Sequence, residues 1–427
     1  MDITKILWVT NGIMPDLLKA MGMKESYGGS WLVEPSHLLA KNEEYVLHIV
    51  TPWDKSESLE KTVDNIHYHL IPSTYLDRMK GPSHKYYDTC MKLVKDIQPD
   101  VIHLHGGEFA IGIPFAEYPG IPKVLSIQGI ISKINESYFY GGIDVPSWVG
   151  CMLPWNILTF APMKLQHARN KWRASSEIKQ MKQVDAITGC TRWDYTYSML
   201  INPKLKYFFI DYAIRQEFSH YKWDIEKCDR HTFLIGSMTV PLKGIHKAFE
   251  ALAILKRKYP DVKLRVVGTN TFDKKHKVGY SRYLYNLAKK LDVIDNLELL
   301  GPQDTMGMIK TMLSCHSFVL SSCIENGPNT MMEAMWLGLP CVCSYVGGAM
   351  QFAKENEEAV FYRFEEPEIL AYELDRIWAN DNLAEKLSNN ARARAAKFDD
   401  YQGVYEKYLK MYQQLRNESK CRENLLQ

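Results

Sequence analysis

Residues 321–340 read SSCIENGPNTMMEAMWLGLP and decide the fold class. A strand is predicted to end at the start of this stretch, a Gly-Pro-Asn loop follows, and a helix begins near Thr330 and ends at Gly338. Backbone amides at the start of a helix lack intrahelical partners and carry the positive end of the helix dipole. The stretch therefore predicts a strand–loop–helix turn that suits a diphosphate.

Two carboxylates bracket this turn. Glu325 lies before the loop and Glu333 lies about one turn into the helix, so both can flank a ligand at the helix start. A carboxylate accepts hydrogen bonds from two neighbouring hydroxyls, which a ribose or a hexose offers. Thr330-x-x-Glu333 also fits a capping box, in which Glu333 only satisfies its own helix. Both interpretations stay open on these residues alone.

Short apolar runs alternate with amphipathic patterns along all 427 residues. This alternation is typical of parallel α/β sheets. This length fits two domains. We place them at 1–215 and 216–399, because a strand-like run at Lys206–Ile210 gives way to a polar stretch. A tyrosine-rich helix at about 400–420 is expected to pack back on the first domain. Two doubly wound domains facing a cleft would bring the ligand-binding ends of both sheets together.

The predicted strands are the short apolar runs of the two halves. They are Lys5–Thr10, Tyr45–Thr51, Val101–His105, Lys123–Gln128, Asp185–Cys190, Thr232–Ser237, Lys263–Gly268, Leu297–Gly301, Ser317–Ser321, Cys341–Ser344 and Ala359–Tyr362.

Composition narrows the class of protein. A formal net charge of +2 gives no reason to expect a nucleic-acid partner. The nine cysteines show no paired spacing that would complete a zinc site, so free thiols in a reducing compartment are favoured. The first residues lack a secretory layout, and no run reaches the roughly 18 apolar residues of a membrane span. We expect a cytoplasmic enzyme.

Further motifs accompany the acidic pair. FLIGSMTVPLKG at 233–244 ends a strand and includes Ser237 and Lys243. Gly28-Gly29 begins a helix that runs to about Lys41, where Ser30 could also be a plain N-cap. His103 and His105 share one face of a strand, with His105 at its carboxyl end and His103 in the core.

These motifs together resemble the family 4 retaining glycosyltransferases, which have the GT-B fold of two Rossmann-like domains. The resemblance is firm over 232–350 and weaker over the first 220 residues. It implies a donor site, three catalytic candidates and a phosphate or acceptor loop. The implied residues are Ser237, Lys243, Asn326, Gly327, Asn329, Thr330 and Glu333 for the donor, Glu325, Gln128 and His105 for catalysis, and Gly28 and Gly29 for the loop.

Two departures from the family pattern bear on the chemistry. Ser237 stands where the family usually has an Arg for the diphosphate, and Gln128 stands where many members have a His. Glutamine cannot act as a general base at neutral pH. This argues against an inverting mechanism that relies on a base at this position. It leaves the retaining route that the resemblance implies, in which the leaving diphosphate takes the acceptor's proton. No Asp-x-Asp motif calls for a metal, and no cofactor is expected.

An apolar, proline-broken stretch at 148–163 is followed by the basic residues of 164–173. Apolar and aromatic groups beside cations suit a bilayer interface. The stretch predicts a peripheral contact at the inner face of the membrane, where a lipid-linked acceptor would be presented. An acceptor lid or a part of the first core is the alternative.

The sequence thus predicts a metal-independent retaining hexosyltransferase. It would move a sugar from a UDP- or GDP-sugar donor to a glycan or lipid-linked acceptor, in cell-surface polysaccharide synthesis. One alternative is a nucleotide-sugar 2-epimerase of the same fold, for which Gln128 offers no acid or base. Another is a non-catalytic nucleotide- or glycan-binding protein, which the departures at Ser237 and Gln128 would fit.

Overall fold

The chain is described by a computed structural model that covers residues 3–23, 30–137, 140–144, 146–147, 161–211, 213–236, 240–268, 279–398 and 400–426. It divides into two units. The first unit comprises Met1–Asn135, Leu165–Ala213 and Asp399–Gln427, and the second comprises Glu136–Lys164 and Ile214–Phe398. The chain therefore passes from the first unit to the second and back again two times.

The strands of the first unit form one sheet, and those of the second unit form another. The first sheet contains β1 (Thr4–Thr10), β2 (Tyr45–Trp53), β3 (Leu59–Val63), β4 (Ile66–Pro72), β5 (Val101–His105), β6 (Lys123–Ser126), β7 (Ala186–Gly189) and β8 (Lys206–Phe209). The second contains β9 (Asp229–Gly236), β10 (Lys263–Val267), β11 (Leu297–Gly301), β12 (Cys315–Leu320), β13 (Cys341–Ser344) and β14 (Val360–Tyr362).

Helices connect most of these strands. In chain order they are α1 (Pro15–Ala20), α2 (Ser30–Lys41), α3 (Tyr75–Met79), α4 (His84–Ile97), α5 (Ile113–Glu117), α6 (Ile131–Ser137), α7 (Ala161–Met181), α8 (Arg192–Ile201), α9 (Ile245–Leu255), α10 (Gly279–Lys290), α11 (Thr305–Leu313), α12 (Asn329–Leu337), α13 (Pro367–Trp378), α14 (Asp381–Ala395) and α15 (Tyr401–Leu426).

The first sheet has the strand order β3-β4-β2-β1-β5-β6-β7-β8 and is parallel except for the β3–β4 pair. Neither β3 nor β4 is among the predicted strands. They form a hairpin that turns at Asp64 and Asn65, which have φ values of 49° and 64°. Two successive residues with positive φ match the right-handed twist of a two-residue hairpin. The turn therefore forms without a glycine.

Apolar side chains cover both faces of the first sheet, as a buried parallel sheet requires. Ile6, Trp8 and Ile49 lie on one face, and Leu7, Val50 and Ile102 lie on the other. Helix α15 covers the first of these faces with Met411, Tyr412 and Leu415. The last described helix therefore belongs to the core of the first unit.

A buried hydrogen-bonded chain fastens α15 to the sheet. Trp8 Nε1 donates to the Tyr412 hydroxyl at 2.9 Å, and that hydroxyl lies 2.6 Å from His103 Nδ1. Because the indole can only donate, the Tyr412 oxygen accepts from Trp8. His103 Nε2 lies 2.6 Å from Ser126 Oγ, which continues to Thr188 Oγ1. Burial holds the pKa of His103 well below its ordinary value, so the ring is neutral.

Replacing Tyr412 by phenylalanine is expected to lower the free energy of unfolding by about 1–3 kcal/mol, because Trp8 Nε1 and His103 Nδ1 would stay buried without a partner. Thermal unfolding followed by circular dichroism measures this. Tyr372→Phe is the matched control, because Tyr372 is 60% exposed. Equal melting temperatures for the two variants would contradict the expectation.

The second sheet has the order β11-β10-β9-β12-β13-β14, and every pair in it is parallel. The chain winds outward from β9 through β10 to β11, and then returns to place β12 on the other side of β9. The carboxyl ends of β9 and β12 thus form the topological switch point, where open α/β sheets bind ligands.

The structure groups residues 136–164 with the second unit, whereas the sequence places them in the domain 1–215. The described part of this stretch packs on the loop after β9. Gly141 has a φ of 59°, and a Cβ there would lie 2.3 Å from the Pro241 carbonyl oxygen. Ile143 is buried in the same region. This close approach explains why the glycine, and with it the stretch, belongs to the second unit.

Candidate donor site and the cavity of the first unit

Three loops meet at the switch point of the second sheet. They follow β9 (241–244), β12 (321–328) and β13 (345–348). Main-chain bonds join them: Cys323 N donates to the Leu242 carbonyl at 2.8 Å, and Gly348 N donates to the Glu325 carbonyl at 2.9 Å. Main-chain contacts fix the positions of the side chains on these loops.

Two glycines permit this close approach. Gly244 has a φ of 65°, and a Cβ there would lie 1.7 Å from the Ser321 carbonyl oxygen. Gly347 has a φ of 51°, and a Cβ there would lie 1.9 Å from the Glu325 carbonyl oxygen. No side chain fits at either distance, so both positions require glycine.

Glu325 and Lys243 contact each other. Lys243 Nζ lies 2.5 Å from Glu325 Oε1, and Ser322 Oγ donates to the same oxygen at 2.6 Å. The Glu325 side chain is 13% exposed and the Lys243 side chain is 34% exposed. A predicted catalytic carboxylate and a predicted phosphate ligand therefore lie side by side, each reachable from solvent.

The helix α12 presents its amino end beside this pair. Pro328 is the N-cap residue and makes no side-chain capping bond. Asn326 is buried, Gly327 and Thr330 are half-buried, and Asn329 is exposed. Because Pro328 itself offers no capping side chain, the amides of the first turn suit an anion.

Glu333 does not form the capping box that its spacing also allows. Thr330 is the second residue of α12 rather than its cap. The Glu333 carboxylate instead accepts two hydrogen bonds on Oε1 from Arg215, from Nε at 2.9 Å and from Nη2 at 2.7 Å. Arg215 also donates to Thr305 Oγ1 at 3.0 Å, and its guanidinium lies 4.9 Å from the centre of the Phe218 ring. Arg215 is thus held on three sides.

Burial raises the pKa of the Glu333 carboxyl, and the Arg215 guanidinium opposes that rise. Arg215 is not among the residues predicted from the sequence. Its only local signal is its position at the predicted boundary between the domains 1–215 and 216–399. The cation beside the second carboxylate comes from this segment. Ser237 lies outside the described residues.

His105 and Gln128 lie in the first unit. Both line a cavity of about 510 Å³ that opens at the switch point between β1 and β5, which we call the first-unit cavity. Residues from the ends of β1, β2, β5 and β6 and from helices α2 and α3 form its walls. These include Asn11, Trp31, Trp53, Asp54, Arg78, His105, Glu108 and Gln128.

The two predicted catalytic side chains of this unit differ in exposure. Gln128 is exposed after the end of β6. His105 is only 3% exposed and packs between Trp8 and His103, with ring centroids 4.4 Å and 3.9 Å away. Burial lowers its pKa to about 3, so the ring is neutral at physiological pH. Gly28 and Gly29 lie outside the described residues.

The segment predicted to contact a membrane is described only in part. Residues 148–160 lie outside the described residues. Within α7, the Arg169 guanidinium lies 5.3 Å from the centre of the Tyr75 ring, and that of Arg173 lies 5.0 Å from the centre of the Phe109 ring. In the described part of the chain, no helix has both the length and the apolarity to cross a bilayer.

Comparison with solved structures identifies the class of fold. The sucrose-phosphate synthase (tll1590) of Thermosynechococcus elongatus superposes with a TM-score of 0.70 at 14% identity, over 96% of this chain and 99% of that chain. Alr3699/HepE of Anabaena, solved in complex with UDP and glucose, gives 0.65 at 15% identity over 96% and 100%. The chain has the GT-B fold of two parallel-sheet α/β domains, which confirms the predicted fold class.

A family match lies within the second unit. Residues 217–394 match the model of the family described as glycosyl transferases group 1. The putative glycosyltransferase YtcC of Bacillus subtilis is 25% identical over 82% of this chain and 78% of that protein. The alignments with the first curated relatives span less than half of those proteins, 46% and 42% of their lengths.

Proposed function

We propose that this chain is a retaining glycosyltransferase of family 4 that takes its sugar from a UDP- or GDP-sugar. The observation that carries the proposal is the placement of Glu325, Glu333 and Lys243 around the amino end of α12. One carboxylate can hold the donor sugar and the other the ribose, while the amides and Lys243 receive the diphosphate between them. Related proteins bear glycosyltransferase names, and HepE was solved with UDP and glucose.

In this proposal the protein stabilises the leaving group and positions the acceptor. The diphosphate gains negative charge as the glycosidic bond breaks, and the Lys243 ammonium and the α12 amides stabilise that charge. The acceptor hydroxyl attacks on the same face and passes its proton to the diphosphate, so no covalent nucleophile or metal is required. The acceptor would be a glycan or a lipid-linked sugar, in polysaccharide synthesis.

Thermal unfolding of the full chain with UDP- and GDP-sugars tests the donor. A true donor at 100 times its dissociation constant should add about 2.7 kcal/mol to the stability of the folded state. NMR of the product then gives the anomeric configuration, which should match that of the donor. An inverted product would overturn the retaining mechanism. The absence of stabilisation by any nucleotide or nucleotide-sugar would overturn the whole proposal.

A further inference from the structure

Helix α7 contributes a buried carboxylate that is not among the predicted site residues. Glu177 is 2% exposed and accepts three hydrogen bonds from the start of helix α6. Ile131 N donates to Oε1 at 2.9 Å, and Ser132 N and Ser132 Oγ each donate to Oε2 at 2.9 Å. The amides in the first turn of a helix have no partners within the helix. Glu177 therefore caps α6 from 45 residues further along the chain.

The capped end of α6 lies beside Gln128 in the chain. Gln128 is exposed and lies three residues before Ile131. On its other side, Ile127 N donates to the carbonyl of Thr188 in β7 at 2.9 Å. The short segment that carries Gln128 is thus held by the sheet at one end and by Glu177 at the other. Contacts at both ends restrict the positions that the Gln128 side chain can take.

Helix α7 also holds the loop after β5. Gln180 is 0% exposed and lies about one turn after Glu177. Its Nε2 donates to the Gly107 carbonyl at 2.8 Å and to the Phe109 carbonyl at 2.9 Å. One helix therefore fixes the loops that follow both β5 and β6, beside which the predicted catalytic side chains of the first unit lie.

The charge of Glu177 depends on its surroundings. Burial raises the pKa of its carboxyl to about 7, although the hydrogen bonds from Ser132 and Ile131 oppose the rise. Glu108, in the loop after β5, adds to the rise. Burial raises the pKa of Glu108 as well, and the Arg173 guanidinium of α7 opposes that rise. The Glu177 carboxyl is therefore only partly ionised at neutral pH.

We propose that Glu177 is a positioning residue for sugar transfer. With both oxygens of an ionised carboxylate it holds the start of α6, and it thereby keeps the Gln128 side chain in the place where it contacts the substrates. Because Glu177 is buried, it acts only through Gln128. The inference rests on the proposed function for its effect on transfer, whereas the contact with α6 is a property of the first unit alone.

Glu177→Gln tests this role in the full chain. The amide has one accepting and one donating arm, so it cannot accept from Ile131 N and Ser132 N on two oxygens. The kcat of transfer should fall about 10- to 100-fold, with a change in the KM for the nucleotide-sugar of less than about twofold, because a misplacement of about 1 Å can cost about 10²-fold. Hydrogen exchange of the peptide 127–136, followed by mass spectrometry, should become about tenfold faster.

The pH profile of kcat distinguishes positioning from a loss of folding. In the unaltered chain, kcat should fall as the pH is lowered through about 7, because a protonated carboxyl no longer accepts on both oxygens. Glu177→Gln should lack this fall, since its side chain does not titrate. The same protonation does not weaken the fold, because a carboxyl whose pKa is raised in the folded state favours folding at the lower pH.

Asp194→Asn is the matched control. Asp194 is 0% exposed in the first unit and closes the capping box of helix α8 with Thr191. Its replacement also removes a buried capping charge, but no predicted site residue lies in the loop after β7, so kcat should stay unchanged. Equal losses of kcat in the two variants would overturn the inference.

Two further results would count against this role of Glu177. Unchanged hydrogen exchange in Glu177→Gln would overturn the inference even in a chain that transfers no sugar, which would itself overturn the proposed function. Faster exchange with an unchanged kcat and an unchanged pH profile would overturn the positioning role and leave the proposed function intact.

Discussion

Replacing Glu325 by glutamine is expected to lower the rate of sugar transfer by a factor of about a hundred or more, as the loss of an electrostatic contact to a reacting group does. The carboxylate lies 2.5 Å from Lys243 Nζ and accepts from Ser322. Glutamine keeps the size and the hydrogen bond of the side chain but removes its charge. Initial rates with a saturating donor measure the effect.

The affinity for the nucleotide should change little in this variant, because Lys243 is released toward the diphosphate while the sugar contact is lost. Glu357→Gln is the matched control, since Glu357 also pairs with a lysine, at 2.7 Å, on the exposed surface of the same unit. An active Glu325→Gln variant would contradict the catalytic role. A large fall in its melting temperature would indicate that the carboxylate is structural.

Arg215→Met is expected to weaken binding of UDP or GDP by about 10- to 100-fold, which corresponds to the 1.5–3 kcal/mol of a hydrogen bond to a charged group. Arg215 orients Glu333 with two bonds and opposes the rise that burial causes in the pKa of this carboxyl. Without the guanidinium, that pKa should rise further. A protonated carboxyl accepts fewer hydrogen bonds from the ribose hydroxyls.

The pH dependence of nucleotide binding should change as well. In the variant, nucleotide affinity should fall as the pH is lowered, and this fall should begin at a higher pH than in the unaltered chain. The variant should also discriminate less between the nucleotide and its 2′-deoxy analogue. Titrations of both ligands across the pH range measure this. Arg230→Met is the control, because Arg230 pairs with Asp381 and lies at the amino end of β9, whereas the donor-site loop 241–244 follows the carboxyl end of that strand. Equal losses for both nucleotides would instead place Arg215 at the diphosphate.

Much of the fold can be predicted from local sequence. Buried parallel strands such as Val101–His105 are continuous apolar runs, and the predicted and observed bounds of this one agree. The strand β3 is not predicted because every residue of Leu59–Val63 is exposed or only partly buried, so the hairpin that it forms with β4 is missed as well. Its turn at Asp64-Asn65 also lacks the glycine that marks most hairpins.

The site shows the same division between local and distant contacts. The loop with Glu325 and the start of α12 lie within one continuous motif, so their neighbourhood can be predicted from sequence. The partner of Glu333 cannot, because Arg215 lies 118 residues earlier in the chain. The burial of His105 likewise depends on Trp8 and on Tyr408 of α15, which contact it from far along the sequence.

The docking of α15 on the first sheet has a consequence for biosynthesis. Trp8 and His103 leave the ribosome some 300 residues or more before Tyr412, which contacts both. All of Ile214–Phe398 emerges in the meantime and can form its own sheet. The first unit therefore completes its core only after the second unit has been made, and a nascent chain arrested before α15 would expose an apolar sheet face to chaperones.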